Sequence, residues 1–259
     1  MAAASELKLI LARYRKLLGL RKDTASRTIR RRSSQQTVLL LSPHPDDEVL
    51  MGGLALRLQR ENKLKVINVA VTLGSLPARK KARQAELAQA LKKLKWQGHT
   101  LPDDWSAKAA ALAKLLKRYR PVLVIAPHAD DHHPTHVRTA QLLLDQLKTM
   151  DLTVAWSEYW KALAAPNLLL ELSEEHYLEQ VKALACHAGE IERNPYHLRL
   201  MGQLIDNVRR GSEVLAGSGS AAAPMLLAQL YRLERWERGT PRPIEMGAVS
   251  LAHDVSDWL

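Results

Sequence analysis

Four side chains that can hold a metal ion or move a proton stand close together near the start of the chain: His44, Asp46, Asp47 and Glu48. They follow residues 37–41, an apolar run of strand length, and they open residues 48–60, which the apolar spacing predicts to be a helix. Turns from strand to helix are where α/β proteins place their sites, and imidazole and carboxylate groups there suit a divalent metal ion. Capping the helix would need only one such residue.

A second cluster of the same chemistry begins where residues 121–126 predict another buried strand. Its members are His128, Asp130, Asp131, His132, His133 and His136. Two strand ends of this kind can converge at one edge of a parallel sheet. His44, Asp47 and His136 would then form a two-histidine, one-carboxylate metal site with positions open for water and substrate. Asp46 and His133 are left as candidate acid–base groups, although spacing alone does not say which aspartate is the ligand.

Residues 43–48 carry the sequence PHPDDE, which resembles the first motif of the PIG-L/LmbE-like family of zinc-dependent N-deacetylases. Residues 133–136, HPTH, resemble the second motif of that family, HPDH. Shorter similarities at residues 71–74, 83–86, 182–187 and 210–213 keep the family's order over roughly residues 37–215. Thr135 stands where the family has Asp, and this difference concerns the groups that support the ligand imidazoles.

The resemblance implies one Zn²⁺ per chain, held by His44, Asp47 and His136. It implies Asp46 as the general base and His133 as the donor to the oxyanion or the leaving amine, with His132 as the alternative donor. Arg83, which matches the family position, or Arg79 one turn earlier is expected to contact the polar substrate, and a surface salt bridge is the alternative role for Arg83. The expected reaction is hydrolysis of the N-acetyl group of an N-acetylglucosamine-type amino sugar, with release of acetate.

Strand and helix patterns alternate along the chain, which predicts an α/β fold: a Rossmann-like, doubly wound, mostly parallel sheet with helices on both faces. We expect a basic amphipathic arm (1–36), an α/β deacetylase domain (37–238) and a C-terminal tail (239–259). Further strands are predicted at 64–73, 122–126, 152–160 and 168–172. Further helices are predicted at 79–95, 105–119, 173–188, 194–210 and 221–238, with a turn-rich link at 98–104.

The net charge of +11 is concentrated in the arm, where ten basic and two acidic residues account for +8. Apolar residues recur at helical spacing between Leu7 and Leu18. This helix could dock on the domain, attach through residues 7–32 to an anionic membrane, or bind nucleic acid, of which the last is disfavoured because no aromatic stacking platform accompanies it. The membrane interpretation favours a lipid-linked or lipopolysaccharide-type glycan as substrate.

Cys186 is the single cysteine and no apolar run is long enough to span a membrane, so we expect a cytoplasmic protein, peripheral at the inner membrane face. No Gly-x-Ser-x-Gly elbow is present, which argues against a serine hydrolase. Two alternatives stay open: another metal-dependent hydrolase such as a phosphoesterase, and a non-catalytic family member that binds a glycan. Tyr159 and Trp160, at the end of a predicted strand, would reach the rim of the site; we expect them to lie in the core rather than to stack on a sugar. His187 is expected to be structural rather than to contact the substrate.

Overall fold

The computed structural model describes residues 2–20 and 36–259. Within these ranges the helices are α1 (Ala2–Leu17), α2 (Asp47–Leu50), α3 (Gly53–Asn62), α4 (Pro77–Leu94), α5 (Trp105–Tyr119), α6 (Pro134–Leu147), α7 (Glu174–Leu184), α8 (Ala188–Arg193) and α9 (Tyr196–Ala216). The strands are β1 (Thr37–Ser42), β2 (Lys65–Ala70), β3 (Gln97–Thr100), β4 (Leu123–Pro127), β5 (Leu152–Ser157), β6 (Leu168–Glu171), β7 (Ala228–Glu237), β8 (Thr240–Pro243) and β9 (Gly247–Val249).

The strands of the described ranges join in one sheet of order β3-β2-β1-β4-β5-β7-β6-β9, with β8 paired to β7. The five neighbouring strands β3, β2, β1, β4 and β5 run parallel to one another. Strand β7 is antiparallel to β5, β6 and β8. The predicted mostly parallel α/β fold is therefore confirmed. The chain order reverses between β1 and β4, and a crevice opens at such a switch point beyond the carboxyl ends of the strands.

Side chains of β1 alternate between two apolar cores, one on each face of the sheet. Val38 and Leu40 join the larger core, and Leu39 and Leu41 join the smaller core. All four side chains are fully buried. Burial on both faces explains why β1 is a continuous apolar run rather than an alternating one, and it fixes the position at which the first motif leaves the sheet.

The predicted helix at residues 221–238 is wrong, because most of this segment forms β7. Its apolar residues fit helical spacing, but Tyr231 and Leu233, two positions apart, pack in the same core, as strand geometry requires. β7 pairs with β5 on one side and with β6 on the other. Tertiary pairing of this kind overrides local propensity.

The predicted helix at residues 48–60 is interrupted between α2 and α3, where Gly52 and Gly53 allow close packing. A Cβ atom on Gly53 would lie 2.2 Å from Oε1 of Gln229, and one on Gly52 would lie 2.8 Å from the ring of Trp96. The Gly53 N–H donates to that Gln229 oxygen over 2.8 Å. The two glycines thus bring the first motif close to the start of β7.

Three further segments differ from the sequence patterns. The link predicted at 98–104 contains most of β3, which pairs parallel with β2. The helix predicted at 173–188 ends at Leu184, and α8 follows it. Strands β8 and β9 fall within the predicted C-terminal tail and pair with β7 and β6, while the division of the chain at 36 and 238 stays a prediction.

Helix α1 docks on the domain through one part of its apolar surface. Leu7 and Leu11 are buried in the larger core, and Arg15 forms an ion pair of 2.6 Å with Glu174. Ile10, Tyr14 and Leu17 remain exposed. The predicted arm continues through residues 21–35, which lie outside the described residues. No helix in the described ranges has the length and apolar character needed to cross a bilayer.

Candidate active site

The two predicted clusters meet at one edge of the sheet. β1 and β4 are parallel neighbours, with Leu40 opposite Ile125, so the loops that follow them leave the sheet on the same side. The first loop continues into α2 and the second into α6. A cavity of about 390 Å³ lies between them, and Asp46, Asp47, His44 and His133 contribute to its lining.

Asp46 has a backbone conformation that L-residues rarely adopt, with φ at 111°. Its N–H donates to Oε2 of Glu48 over 2.8 Å, which ties the strained residue to the first turn of α2. Strain of this kind costs of order 1–3 kcal/mol and persists only where surrounding contacts impose it. The turn places the Asp46 side chain in the cavity while Asp47 faces the histidines.

His44, Asp47 and His136 bring three potential ligand atoms together. Oδ2 of Asp47 lies 3.2 Å from Nδ1 of His44 and 3.3 Å from Nε2 of His136. Ligand atoms around a tetrahedral ion with bonds of about 2.1 Å are about 3.4 Å apart. His136 is fully buried, and within the described ranges neither of its ring nitrogens makes a well-oriented hydrogen bond. This donor set fits a divalent metal ion.

His133 lies beside these groups and offers a second way to complete a metal site. One ring nitrogen from each of His44, His133 and His136 lies within 4.8 Å of the others. However, Nδ1 of His133 accepts the backbone N–H of Thr135 over 3.2 Å and so caps helix α6. In a neutral ring this bond puts the proton on Nε2, which makes that nitrogen a donor rather than a ligand.

The two adjacent aspartates have opposite electrostatic surroundings. Burial, together with the negative charges of Asp47 and Glu48, raises the pKa of Asp46 well above its usual value. Burial acts in the same direction on Asp47, but His136 and His44 outweigh it and hold the pKa of Asp47 below its usual value. Paired carboxylates whose pKa values are pushed apart are suited to different roles.

The histidines also differ from one another. Burial opposes the charged form of His136, but Asp47 and Asp131 outweigh it and raise its pKa to about 10. A buried position between two carboxylates therefore favours a positive charge, whether a proton or a metal ion. Burial lowers the pKa of His133, and the neighbouring His44 and His136 lower it further.

Asp131 supports the second motif. Its Oδ2 lies 3.4 Å from Nδ1 of His136, and its Oδ1 accepts the N–H of His133 over 2.8 Å. A carboxylate on the outer nitrogen of a ligand histidine fixes the ring orientation. Of the other members of the second cluster, Asp130 and His132 are exposed, and His128 contacts the carbonyl of Lys161 over 2.9 Å.

Arg83 lies in the cavity wall, whereas Arg79 packs against Gly189 and faces Glu86 at 3.6 Å. The Arg83 guanidinium donates to the carbonyl of Pro45 over 3.3 Å. It packs so closely on Gly74 that an added Cβ there would lie 2.1 Å from Nη1. Arg83 also lies 3.3 Å from Glu190, so it lines the cavity within an ion pair, and its contact with a substrate stays a prediction.

Of the two aromatic residues at the rim, Trp160 differs from expectation, whereas Tyr159 packs against the larger core as expected. Trp160 was predicted to lie in the core but is half exposed, and its ring centre lies 5.7 Å from that of His133. Tyr159 is partly buried and lines the cavity beside Trp160. His187 is fully buried and contacts Glu48, as its structural interpretation predicted. All residues of β5 are buried, and Trp160 lies three positions beyond its end, where the chain reaches the rim.

Comparison with known proteins gives one family and one fold. Residues 39–147 match the family model described as PIG-L: GlcNAc-PI de-N-acetylase. N,N'-diacetylchitobiose deacetylase from Pyrococcus horikoshii is 18% identical with a TM-score of 0.58, over 85% of this chain and 89% of that chain. The zinc-inhibited form of teicoplanin deacetylase Orf2 is 15% identical with a TM-score of 0.57, over 77% and 98%.

A protein of different activity shares the fold as well. GalB, the 4-carboxy-2-hydroxymuconate hydratase from Pseudomonas putida KT2440, is 19% identical with a TM-score of 0.55, over 82% of this chain and 99% of that chain. No curated protein sequence matches this chain. Likeness at these identities establishes the fold, and the reaction has to be argued from the site. Residues 39–147 are therefore similar to the PIG-L family, as the two motifs predicted, and the chain shares the fold of its structural neighbours.

Proposed function

We propose that the protein is a metal-dependent N-deacetylase that hydrolyses the N-acetyl group of an N-acetylglucosamine-type amino sugar and releases acetate. The observation that carries this proposal is the meeting of His44, Asp47 and His136 around Oδ2 of Asp47, with Asp46 and His133 in the same cavity. The description of the matching family model, a de-N-acetylase of a GlcNAc derivative, supports the same reaction.

The residues fit one Zn²⁺ per chain. His44 and His136 would supply imidazole nitrogens and Asp47 a carboxylate oxygen, the ligand types of catalytic zinc sites. When bound, Zn²⁺ supplies Lewis acidity, which makes water more acidic and an amide carbonyl more electrophilic. Asp131 would hold His136 in orientation through Nδ1.

Asp46 and His133 would move the protons. The raised pKa of Asp46 makes its carboxylate a stronger base than an exposed aspartate, so it can take a proton from the attacking water. His133 would direct its Nε2–H at the oxygen of the amide, where negative charge develops during attack. The proton that Asp46 receives is then available for the leaving amine.

The sugar would be held by Arg83 and by the aromatic rim. Arg83 lines the cavity, and its Nε has no hydrogen-bond partner among the described residues, so the guanidinium has donor capacity that the protein does not use. Trp160 presents an exposed ring beside His133, on which an apolar sugar face can stack. These contacts would place the N-acetyl group near the histidines.

A lipid-linked or lipopolysaccharide-type glycan at an anionic membrane surface is the substrate that helix α1 favours. Tyr14 and Leu17 are exposed on this helix among Lys8, Arg13 and Lys16. Apolar side chains at the headgroup level combined with basic charge promote peripheral binding. Replacement of Tyr14 and Leu17 by Ser should weaken sedimentation with anionic vesicles, whereas Leu198→Ser, at another exposed leucine, should not; equal sedimentation of both variants would contradict membrane binding through α1.

Acetate release tests the central proposal. The zinc-loaded protein is incubated with N-acetylglucosamine and with glycans that carry it, and acetate is measured by an enzyme-coupled assay. We expect release that a chelator abolishes and that added Zn²⁺ restores. Stoichiometric zinc without release from any of these substrates would instead favour a non-catalytic glycan-binding protein, and the absence of metal binding would refute the proposed centre.

A further inference from the structure

The wall of the cavity around Trp105 carries more positive charge than its own acidic groups balance. Besides Asp46 and Asp47, the cavity is lined by five cationic side chains and two acidic ones. The cations are Lys80, Arg83, Lys108, Arg138 and Arg193, and the acids are Asp103 and Glu190. Glu190 pairs with Arg83 and Arg193 on one side, which leaves Asp103 as the acid of the other side.

Asp103 only weakly balances the positive charges of the three remaining cations, Lys80, Lys108 and Arg138. Its carboxylate lies 2.7 Å from Nζ of Lys80, but its side chain is 73% exposed. Lys108 is almost fully buried and donates to the carbonyls of Val71 and Pro102 rather than to a carboxylate. Burial lowers the pKa of Lys108; Asp103 opposes this effect, and the charges of Lys80 and Arg138 add to it.

Arg138 is held in place by an aromatic ring and not by an acid. Its Cζ lies 3.7 Å from the centre of the Trp105 ring, and Nζ of Lys108 lies 5.1 Å from the same centre. Within the described ranges Arg138 has no ion-pair or hydrogen-bond partner. Stacking fixes the plane of a guanidinium while its N–H groups stay available for a bidentate contact with phosphate or carboxylate.

Thr135 keeps Arg138 available. The two residues are three positions apart on α6, so they share one helix face, and both line the cavity. An aspartate at position 135 would be placed to pair with Arg138. Arg138 also follows His136 by two residues, a rise of about 3 Å along the helix axis. The Arg138 guanidinium therefore belongs to the same turn of α6 as the proposed metal ligand.

We propose that Lys80, Lys108 and Arg138 form a subsite for an oxyanion that the substrate carries, a phosphate or a carboxylate on the amino sugar or on the group linked to it. This inference rests on the proposed deacetylase function and narrows its substrate class to acidic amino sugars. The anion lies across the face of Arg138 that Trp105 leaves open, and it neutralises a wall that the protein leaves positively charged.

Rates on charged and neutral substrates test the subsite. Acetate release is compared for N-acetylglucosamine, its 1-phosphate, its 6-phosphate and N-acetylmuramic acid, which carries a carboxylate. We expect kcat/KM for at least one charged sugar to exceed that of the neutral sugar about tenfold or more, and Arg138→Gln to remove most of this ratio. Arg118→Gln is the matched control, because Arg118 is also exposed and lies 5.2 Å from an aromatic ring, that of Tyr119, outside the cavity.

The pattern of preference separates the two anion sources, since a phosphate subsite favours the sugar phosphates and a carboxylate subsite favours N-acetylmuramic acid. The subsite would be overturned if wild type had the same kcat/KM for charged and neutral sugars. It would also be overturned if Arg138→Gln and Arg118→Gln preferred charged sugars to the same degree. If no sugar releases acetate, the proposed function fails, and titration calorimetry with inorganic phosphate decides the subsite alone. Binding that weakens about tenfold in Arg138→Gln and not in Arg118→Gln supports it, and equal binding by all three proteins overturns it.

Discussion

Glu48 and His187 form a fully buried pair that joins the first motif to the end of helix α7. Oε1 of Glu48 lies 2.7 Å from Nε2 of His187, and both side chains have no exposed surface. The other oxygen of Glu48 accepts the N–H of Asp46, whose backbone is strained. His187 is therefore a positioning residue: it holds Glu48, and Glu48 holds the turn that presents Asp46.

The His187–Glu48 pair should make stability depend on pH. Burial alone would lower the pKa of His187, but Glu48 outweighs it and raises the pKa above the usual 6.5. A folded-state pKa above the unfolded one contributes stability that is complete below pH 6.5 and is lost as pH rises through the folded value. In urea denaturation of the zinc-loaded protein, wild type should exceed His187→Gln by about 1–3 kcal/mol at pH 6, and the difference should shrink toward pH 9. A difference that is constant or grows with pH would contradict a charged pair.

Asp46→Asn should remove catalysis but not the metal. Asn keeps the size and polarity of the side chain but cannot accept the proton, and loss of a general base costs about 10²–10⁴-fold in rate. Acetate release and zinc content by mass spectrometry are measured on the same preparation. Asp130→Asn is the control, because Asp130 is an exposed carboxylate on the second loop. Loss of zinc from Asp46→Asn would instead show that Asp46 is the metal ligand, and Asp47 would then be the candidate base.

Asp131→Asn should weaken zinc binding by about 10–100-fold, the usual effect of removing the group that orients a ligand histidine. The reason is the 3.4 Å contact between Asp131 and the outer nitrogen of His136. Competition with a chromogenic chelator gives the affinity. Equal zinc affinity in Asp131→Asn and in wild type would show that His136 does not depend on Asp131.

Gly53→Ala should destabilise the fold, although alanine favours helices. The added Cβ would lie 2.2 Å from Oε1 of Gln229, and relief of such a clash costs about 1–3 kcal/mol. Gly202, inside helix α9, has no atom within 4 Å of an added Cβ apart from its own stretch of helix backbone, so Gly202→Ala should stabilise by about 0.5–1 kcal/mol. Thermal denaturation of both variants checks the opposite signs, and destabilisation by both would point to a helix-wide effect rather than to the contact with Gln229.

Local patterns predicted the elements that position the site. The helix predicted at 105–119 has the bounds of α5, because Asp104 caps it and its apolar residues have one clear period. The loops after β1 and β4 were placed correctly because buried parallel strands and turns have strong local signals. These two loops bring His44, Asp46, Asp47, His133 and His136 into one region, while their individual roles stay predictions.

Contacts between distant parts of the chain were beyond the reach of local patterns. β7 was predicted as a helix because two of its three partners, β5 and β6, lie at least 57 positions earlier in the chain, as Ala228 faces Glu171. The pairing of Glu48 with His187 spans 139 positions. The stacking of Arg138 on Trp105 joins two helices whose relation only the fold defines. Each of these depends on tertiary packing and has no periodic signature in the sequence.

Strand β7 comes late in the sequence but lies inside the sheet, between β5 and β6, and this limits where the chain can be divided. The segment that matches the family, residues 39–147, ends before β5. The backbone of its first helices is bonded by side chains from far beyond it: Gln180 donates to the carbonyl of Val49, and Tyr231 accepts the N–H of Leu54. A fragment cut after residue 147 would leave one edge of β4 unpaired and these polar groups without partners. The matched segment is thus a unit of similarity and not a unit of folding, and the cluster of His44, Asp47 and His136 should form only after most of the polypeptide has been synthesised.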